Sequence, residues 1–571
     1  MKDKKKIYIL FTILGVVLLA LLILVLIKVN NEDGNSIKIN GLSVNYEVSP
    51  NMSSTVFTSS VNKEDGLSKK VNMQVTNKSL APSCVSLYVQ PIKVPDDILN
   101  EDLKYAVIQN NMILSTGNFA NKKLSQEFKI TGDITTTISN SEYIVYIWLA
   151  NSEMYNGKTY DVLFNLKVKK ENCLNTANSP SISEGMIPVV WNDGVLEKAD
   201  VSNSNNNWYS YEDKLWANVV LVKEGKSNEE GSMSRSEYKN AIAGTKILES
   251  DVLVYLVWIP RYKYKLFNVN SENISEQEIN VEFQSIDDVK EMGINNDEWR
   301  THPAFTKVNN GNLEELSGIW IGKFELGGTI DLPLIKNDTV SMVNKNIAEF
   351  NSIIKEFYDE NYGFTNDDNV HMIKNIEWGA MAYLSQSKYG KCTNGGCGDI
   401  GINNTYDAYK KQLLTGCGNK SETIWSSTCY KYDTQFGTLA TTTTNITGIY
   451  DTSGGAWEYV MGVMKDKNNN IISGLSGVNI DSNECGSIID CYSYGNSNND
   501  ISSYSRLILG DATGETNGWY KDSSYFVYEA NNNVWFRRGG DYGSSYAAGI
   551  FSYGTLDGKG YSTVGTRIVV N

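Results

Sequence analysis

Histidine and cysteine are where catalytic or metal chemistry would have to start, and the chain restricts both. It holds two histidines, His302 in RTHPAF and His371 in NVHMIKNIEWG, which excludes a three-histidine metal site and leaves few general bases. Each reads more readily as a structural side chain than as a lone catalytic base, and no Ser, His and Asp triad is legible. The glycine pair Gly454 and Gly455 precedes no Lys-Ser or Lys-Thr, so it reads as a tight turn and not a phosphate loop. Cysteine is different: Cys84, Cys173, Cys392, Cys397, Cys417, Cys429, Cys485 and Cys491 form an even set. Close spacing favours disulfides between Cys392 and Cys397, Cys417 and Cys429, and Cys485 and Cys491, leaving Cys84 for Cys173. A zinc site made of Cys392, Cys397, Cys417 and Cys429 is the rival, and the wide gap in its second pair fits it poorly.

The elements that must carry these residues belong to a folded chain. Of 571 residues, 41% are hydrophobic, 20% are charged and only 9 are proline, enough apolar surface to bury a core. Lys+Arg 51 against Asp+Glu 66 leaves a net charge of -15, so a nucleic-acid backbone would be repelled and no nucleic-acid partner is expected. Residues 7–27 carry no charge and are almost wholly apolar, a length that matches a bilayer core of ~30 Å as a helix. Lys2, Lys4, Lys5 and Lys6 precede it, which places a short amino-terminal tail, 1–6, in the cytoplasm and the bulk of the chain outside the cell membrane. A cleaved signal peptide is the alternative, but the run is too long and no A-x-A-like site follows it. Exported cysteines suit disulfides.

After a polar tether, 28–37, period-two alternation begins at Val71, Met73 and Val75 and recurs at Val85, Leu87 and Val89, at Tyr143, Val145 and Ile147, and at Tyr160, Val162 and Phe164. This pattern predicts an antiparallel, Ig-like β-sandwich over 38–172. Within it LKYAVIQNNMILSTGNF reads as a hairpin turning at Asn110 and Asn111. A Ser-, Asn- and Pro-bearing stretch, 173–185, reads as a linker, and 186–571 forms a second unit. There Ile347, Phe350, Ile354 and Phe357 predict an amphipathic helix of about four turns. Ile376, Ala380, Tyr383 and Leu384 predict a second helix with one apolar face, stopped at Gly390. The long Gly-, Asn-, Ser- and Tyr-rich remainder is expected to be loops pinned by short strands and disulfides.

Three ordered motifs in the second unit resemble one family. Val257, Trp258, Ile259 and Pro260 match its early V-W-I-P strand, and GIYDTSGGAWEY, with Trp457 and Glu458, resembles its G-L-Y-D-M-S-G-N-V-W-E-W. Arg538, Gly539, Gly540, Asp541 and Tyr542 are similar to its R-G-G-S-W, and Gly565, Thr566 and Arg567 to its G-F-R. The family is that of formylglycine-generating enzymes, or sulfatase-modifying factors. The resemblance implies an α+β class in which a C-type lectin-like domain spans 186–571. It also looks like the lectin-type domains of Gram-positive surface proteins.

What the resemblance implies about activity is negative. The family's oxidases use a cysteine pair soon after R-G-G, and DYGSSYAAGIFSYGTLDGKGYSTVG has none. Its sulfoxide synthases need three histidines. No catalytic residue and no resident cofactor are therefore expected. Calcium in a loop like 453–458 would draw on Glu458, although Gly455 replaces the family's Asn. What remains is a surface: Tyr542, Ser544, Ser545, Tyr546, Phe551, Ser552, Tyr553, Thr555, Asp557, Lys559 and Tyr561. Tyr gives large rigid contact area and Ser adaptable hydrogen bonds. In the resembling fold this segment lies on an exposed face, the one diversified in lectin-type proteins served by mutagenic retroelements. Tyr542 and Phe551 are expected to be buried, and Tyr546, Tyr553 and Tyr561 exposed. The expectation is an anchored receptor or adhesin for an extracellular protein or glycan. The alternatives are a surface enzyme of altered chemistry and a structural envelope protein.

Overall fold

The computed structural model describes residues 36–39, 42–46, 55–58 and 69–571, apart from segments 78–82, 110–111, 132–133, 137–139, 151–158, 172–176, 202–207, 270–274, 287, 310–311, 366–367, 421–424, 466–467, 469, 472, 481–483, 493–507 and 525–533. The chain divides into two compact units, Met1–Leu174 and Asn175–Asn571. It is mostly β, with a few short helices. The expected membrane segment, 7–27, and the pairing of Cys84 with Cys173 lie outside the described residues. Among those described, no helix is long and apolar enough to cross a membrane.

In the first unit the alternation does its expected job. Val71, Met73 and Val75 are buried while Asn72 and Gln74 between them are half-buried, because successive side chains of a strand point to opposite faces. One antiparallel sheet runs in the order Ser36–Ile39, Leu42–Tyr46, Lys69–Asn77, Asn140–Leu149, Leu103–Gln109, Met112–Asn118. The other runs Thr55–Thr58, Thr159–Glu171, Ser83–Lys93, Phe128–Lys129, with Ile134–Thr136 also against Ser83–Lys93. Val71, Val85, Val145 and Phe164 from both sheets share one core. The hairpin brings Gln109 opposite Met112. The first strand, Ser36–Ile39, opens inside the stretch read as a tether.

The second unit is built on a seven-stranded sheet, ordered Val195–Lys198, Ile187–Asn192, Asn218–Val222, Val252–Pro260, Gly318–Gly322, Ile568–Val570, Val370–Met372. Its central strand, which carries Trp258 and Pro260, is buried at every residue. That is why the sequence there is one continuous apolar run. Three helices are short: α1 (Arg235–Asn240), α2 (Ile347–Ile354) and α3 (Asn375–Ser385). At α2 the Asn346 side chain accepts from Glu349 N and Glu349 accepts from Asn346 N, each at 2.8 Å; this reciprocal cap fixes the start. The α-helix then tightens into a 3-10 turn, Lys355–Tyr358, and falls short of four turns.

Helix α3 ends at Ser385, capped by Gln386, and so stops short of the expected Gly390; all of its residues, polar ones included, are buried. Protein packs on both sides: Trp378 Nε1 donates to Ile550 O at 2.7 Å, and a Cβ at Gly379 would stand 1.9 Å from Gly510 O. Glycine is therefore the side chain this approach permits.

A smaller sheet carries the carboxy-terminal motifs. Its strands are β1 (Trp457–Met464), β2 (Trp535–Gly539), β3 (Gly549–Leu556) and β4 (Val564–Thr566). β1 pairs antiparallel with β2, β2 with β3, and β4 lies parallel to β1.

Candidate functional site

The family-like motifs turn out to be structural clamps. Arg567 donates through Nε to Glu458 Oε2 at 3.0 Å, through Nη2 to Glu458 Oε1 at 2.7 Å, and onward to the carbonyls of Gly322 and Tyr450. Both side chains are fully buried. Arg538 hands its donors to Asn375 Oδ1 and to the carbonyls of Asp511, Ala512 and Ile550. Gly539 and Gly540 take φ of 88° and 78° and turn the chain after β2, a left-handed conformation that glycine adopts cheaply. Gly454 and Gly455, with φ of 79° and 73°, form the expected tight turn, where a Cβ on Gly455 would stand 2.4 Å from Glu325 Oε1.

This interior is rich in acid. Burial pushes the Glu458 carboxyl up to about 7 against the pull of Arg567. Burial and the nearby carboxylates of Asp451 and Glu458 push Glu325 up as well. One guanidinium among three buried carboxyls in a low-dielectric interior leaves them binding protons more tightly than in water. A calcium ion does not fit at Glu458, since both carboxylate oxygens already face a buried cation. Among the described residues no group of three or more His, Cys, Asp or Glu could hold a metal.

Both histidines are tied into the frame. His302 is fully buried; its Nδ1 accepts from Ala304 N at 3.3 Å, its Nε2 donates to Gly510 O at 2.9 Å, and burial lowers its pKa to about 3. His371 bridges Asn369 O at 3.0 Å and Glu377 Oε1 at 3.1 Å. The cysteines close three small loops, Cys392–Cys397, Cys417–Cys429 and Cys485–Cys491, so the zinc alternative falls.

The carboxy-terminal segment is split by its own strand. Phe551, Ser552, Tyr553, Thr555 and Asp557 are buried. Phe551 was expected inside and Tyr553 outside. Tyr553 goes in because β3 lies among other layers: it sits opposite Arg538 in the β2–β3 pair, and its hydroxyl donates to Asn517 Oδ1 at 3.3 Å. Tyr542 is half-buried and not interior, as are Ser544, Ser545 and Tyr561, while Lys559 and Tyr546 are exposed. Since β3 runs from Gly549 to Leu556, the turn that holds Tyr542 to Tyr546 and the loop that holds Lys559 and Tyr561 stand at opposite ends of a strand roughly 23 Å long.

The turn end gathers an aromatic cluster. Asp541 Oδ1 accepts from Gly543 N at 3.1 Å and Ser544 Oγ at 2.8 Å, and Tyr542 N donates to Gly455 O at 2.8 Å, so the turn is held by its own hydrogen bonds. Tyr542 then stacks on Tyr406, with centroids 4.4 Å apart and planes 11° from parallel. Tyr406 meets Trp425 edge-on at 6.2 Å. Trp425 is 52% exposed and Tyr546 63%. Tyr409, at the tip of the hairpin that starts at Tyr406–Asp407, is fully exposed. The sequence reading missed Tyr406, Tyr409 and Trp425. Their one local signal was aromatic residues inside or beside the Cys417–Cys429 loop; the partner that completes the stack is far away in the chain. Models of known protein families and the curated proteins alike yield no match to this chain.

Proposed function

We propose that the chain is a membrane-anchored, extracellular ligand-binding protein, a receptor or adhesin, whose second unit is a C-type lectin-like domain of the non-catalytic kind. The observation that carries this reading is the surface formed by Tyr542, Tyr406 and Trp425, rings held by mutual contact yet partly open to solvent, with exposed Tyr546 four residues along from Tyr542. Rigid, partly exposed aromatics gain contact area with little ordering cost, which suits recognition of a protein or glycan. The absence of a cysteine pair after Gly540 and the structural engagement of both histidines argue against an enzyme of altered family chemistry. Three disulfides accord with an oxidising exterior. The structural-envelope reading draws on one observation, the burial of Phe551, Tyr553, Thr555 and Asp557, which takes part of the expected face out of reach of any ligand.

The test is capture by the full chain on arrays of extracellular proteins and glycans, beside a Trp425→Ala, Tyr546→Ala variant of equal melting temperature. A defined ligand bound by the wild type and lost by the variant supports a receptor site. Equal capture by both, or none by either, leaves the structural reading in the lead.

A further inference from the structure

Arg537 is the arginine, among those described, whose side chain donates no hydrogen bond. Arg235, Arg261, Arg300, Arg538 and Arg567 each donate hydrogen bonds to a carbonyl or a carboxylate. Among the described residues Arg537 donates none from its side chain, and its Nε is buried without a partner. It is nevertheless held: the guanidinium carbon lies 4.1 Å above the Trp457 ring centroid, and stacking on an indole fixes the plane of the fork. In β2 it stands opposite Tyr459 on one side and Gly554 on the other. Gly554 brings no side chain to cover it.

Most of the neighbouring polar atoms are otherwise occupied. Asp541 lies within electrostatic range of the guanidinium, but its Oδ1 serves its own turn through Gly543 N and Ser544 Oγ. The Tyr459 hydroxyl donates to Lys559 O at 2.9 Å, and the Tyr561 hydroxyl to Asp557 Oδ1 at 3.0 Å. Lys559 Nζ faces Asp557 Oδ2 at 3.5 Å. A positioned fork with its donors unspent, rimmed by phenol rings, matches one carboxylate in bidentate fashion.

We infer that Arg537 is an anion-recognition residue of the ligand-binding face, and that its ligand is a carboxylate-bearing saccharide such as a uronate. This rests on the receptor reading above. An acidic peptide fits less well, because its carboxylates sit on flexible side chains that bring no rigid C–H body to the aromatic rim. A sugar acid offers one carboxylate per ring, with a body of C–H and O–H groups for the aromatic rim.

The test titrates the full chain with oligogalacturonate, with its methyl ester, in which the same carboxyl groups are esterified and uncharged, with oligoglutamate, and with acetate. Oligogalacturonate should bind at least about tenfold more tightly than the ester, and Arg537→Gln should abolish that preference without changing affinity for the ester. Arg537→Lys, which keeps the charge and loses the fork, should fall between; it carries the test if Arg537→Gln does not fold. Asp541→Asn should strengthen binding of the acid form. An acid-over-ester preference that survives both Arg537 variants overturns the inference, as does tighter binding of oligoglutamate, equal response to acetate, or no binding of the uronate. If Trp425→Ala, Tyr546→Ala abolishes capture of some other ligand while the Arg537 variants do not, the receptor reading stands and this inference alone fails.

Discussion

The two units fill their interiors in opposite ways. Among the described residues the sandwich buries little that is polar beyond Ser86 and Thr131, around Val71, Val145 and Phe164. The second unit buries Lys323, Glu325, Asp451, Glu458, Asp511, Glu515, Arg538 and Arg567. An apolar core responds to lost volume, whereas a charged one responds to lost pairing, because a charge left alone in the interior cannot be rehydrated. The largest expected effect is therefore Arg567→Met, which strands Glu458. A loss of about 3–5 kcal/mol is expected in urea unfolding followed by tryptophan fluorescence. That signal reports mostly on the second unit, since Trp148 alone lies in the first. Adding Glu458→Leu should recover part of the loss. In the sandwich, removing an exposed partner by Lys167→Ala should cost under about 1 kcal/mol, although Leu87→Ala should cost about 2–5 kcal/mol. A cost for Arg567→Met as small as that for Lys167→Ala would erase the contrast.

Acidity sharpens the same comparison. Burial raises the carboxyls of Asp490 to about 7, Asp511 to about 6 and Glu515 to about 8. Folded, these groups hold protons that the unfolded chain releases near pH 4. Their stabilising effect is thus complete below that pH and is lost as pH rises through 6 to 8. His302, lowered to about 3, works the other way: its contribution is lost as pH falls from about 6.5. Glu377, lowered to about 2 although burial opposes this, because Lys374 and His371 favour its charge, loses its contribution only as pH falls below about 4.5. Calorimetry should show the second unit melting lower at pH 8.5 than at pH 5.5. The sandwich should barely move over that interval: Glu127, whose ion pairs with Lys167 and Lys169 lower its pKa, stays ionised throughout. A second-unit transition that shifts upward with pH would contradict the protonated interior.

Removal of the three second-unit disulfides, one at a time, comes next. They close loops with sequence separations of 5, 12 and 6, so Cys→Ser at either end of one should cost about 2–3 kcal/mol on the loop-entropy account. The effect belongs to the second unit, and the sandwich transition should be indifferent to it. Cys417→Ser is the informative case, because its loop presents Trp425.

Local chemistry explains what the sequence could disclose. Alternation at Val71, Met73 and Val75 and the short spacing of Cys392 and Cys397 are contained within a few residues, and both reappear in the structure as read. The misreadings share the opposite origin. Ile376 to Leu384 has an apolar face by periodicity, but the rest of α3 is covered by the backbone near Gly510 and by Ile550, segments far off in the chain. Tyr553 belongs to a palette that suits a surface, yet β3 carries it inward against Arg538. Tyr542 was assigned to the ligand face and also to the interior; its stacking on Tyr406, across most of the second unit's loops, makes it half of each. Arg537 carries no legible role in the sequence, because nothing in the adjacent Arg538 indicates that one guanidinium is saturated by carbonyls and the other by none.

The smallest effect on stability should accompany the largest effect on binding. Trp425 and Tyr546 keep much of their surface in water, so truncating either removes little that folding buried, and the melting temperature should change by the equivalent of at most about 0.5 kcal/mol. Tyr553→Ala, identical in chemistry to Tyr546→Ala, should instead cost about 3–5 kcal/mol, as expected for a large buried aromatic. Tyr546→Ala should weaken capture of a ligand by the turn end, where an exposed aromatic ring acts as an anchor. If Tyr546→Ala destabilises the fold as much as Tyr553→Ala, the ring is part of the packing and the turn is no binding surface. If it leaves both stability and capture untouched, recognition has to lie at the other end of β3, around Lys559 and Tyr561.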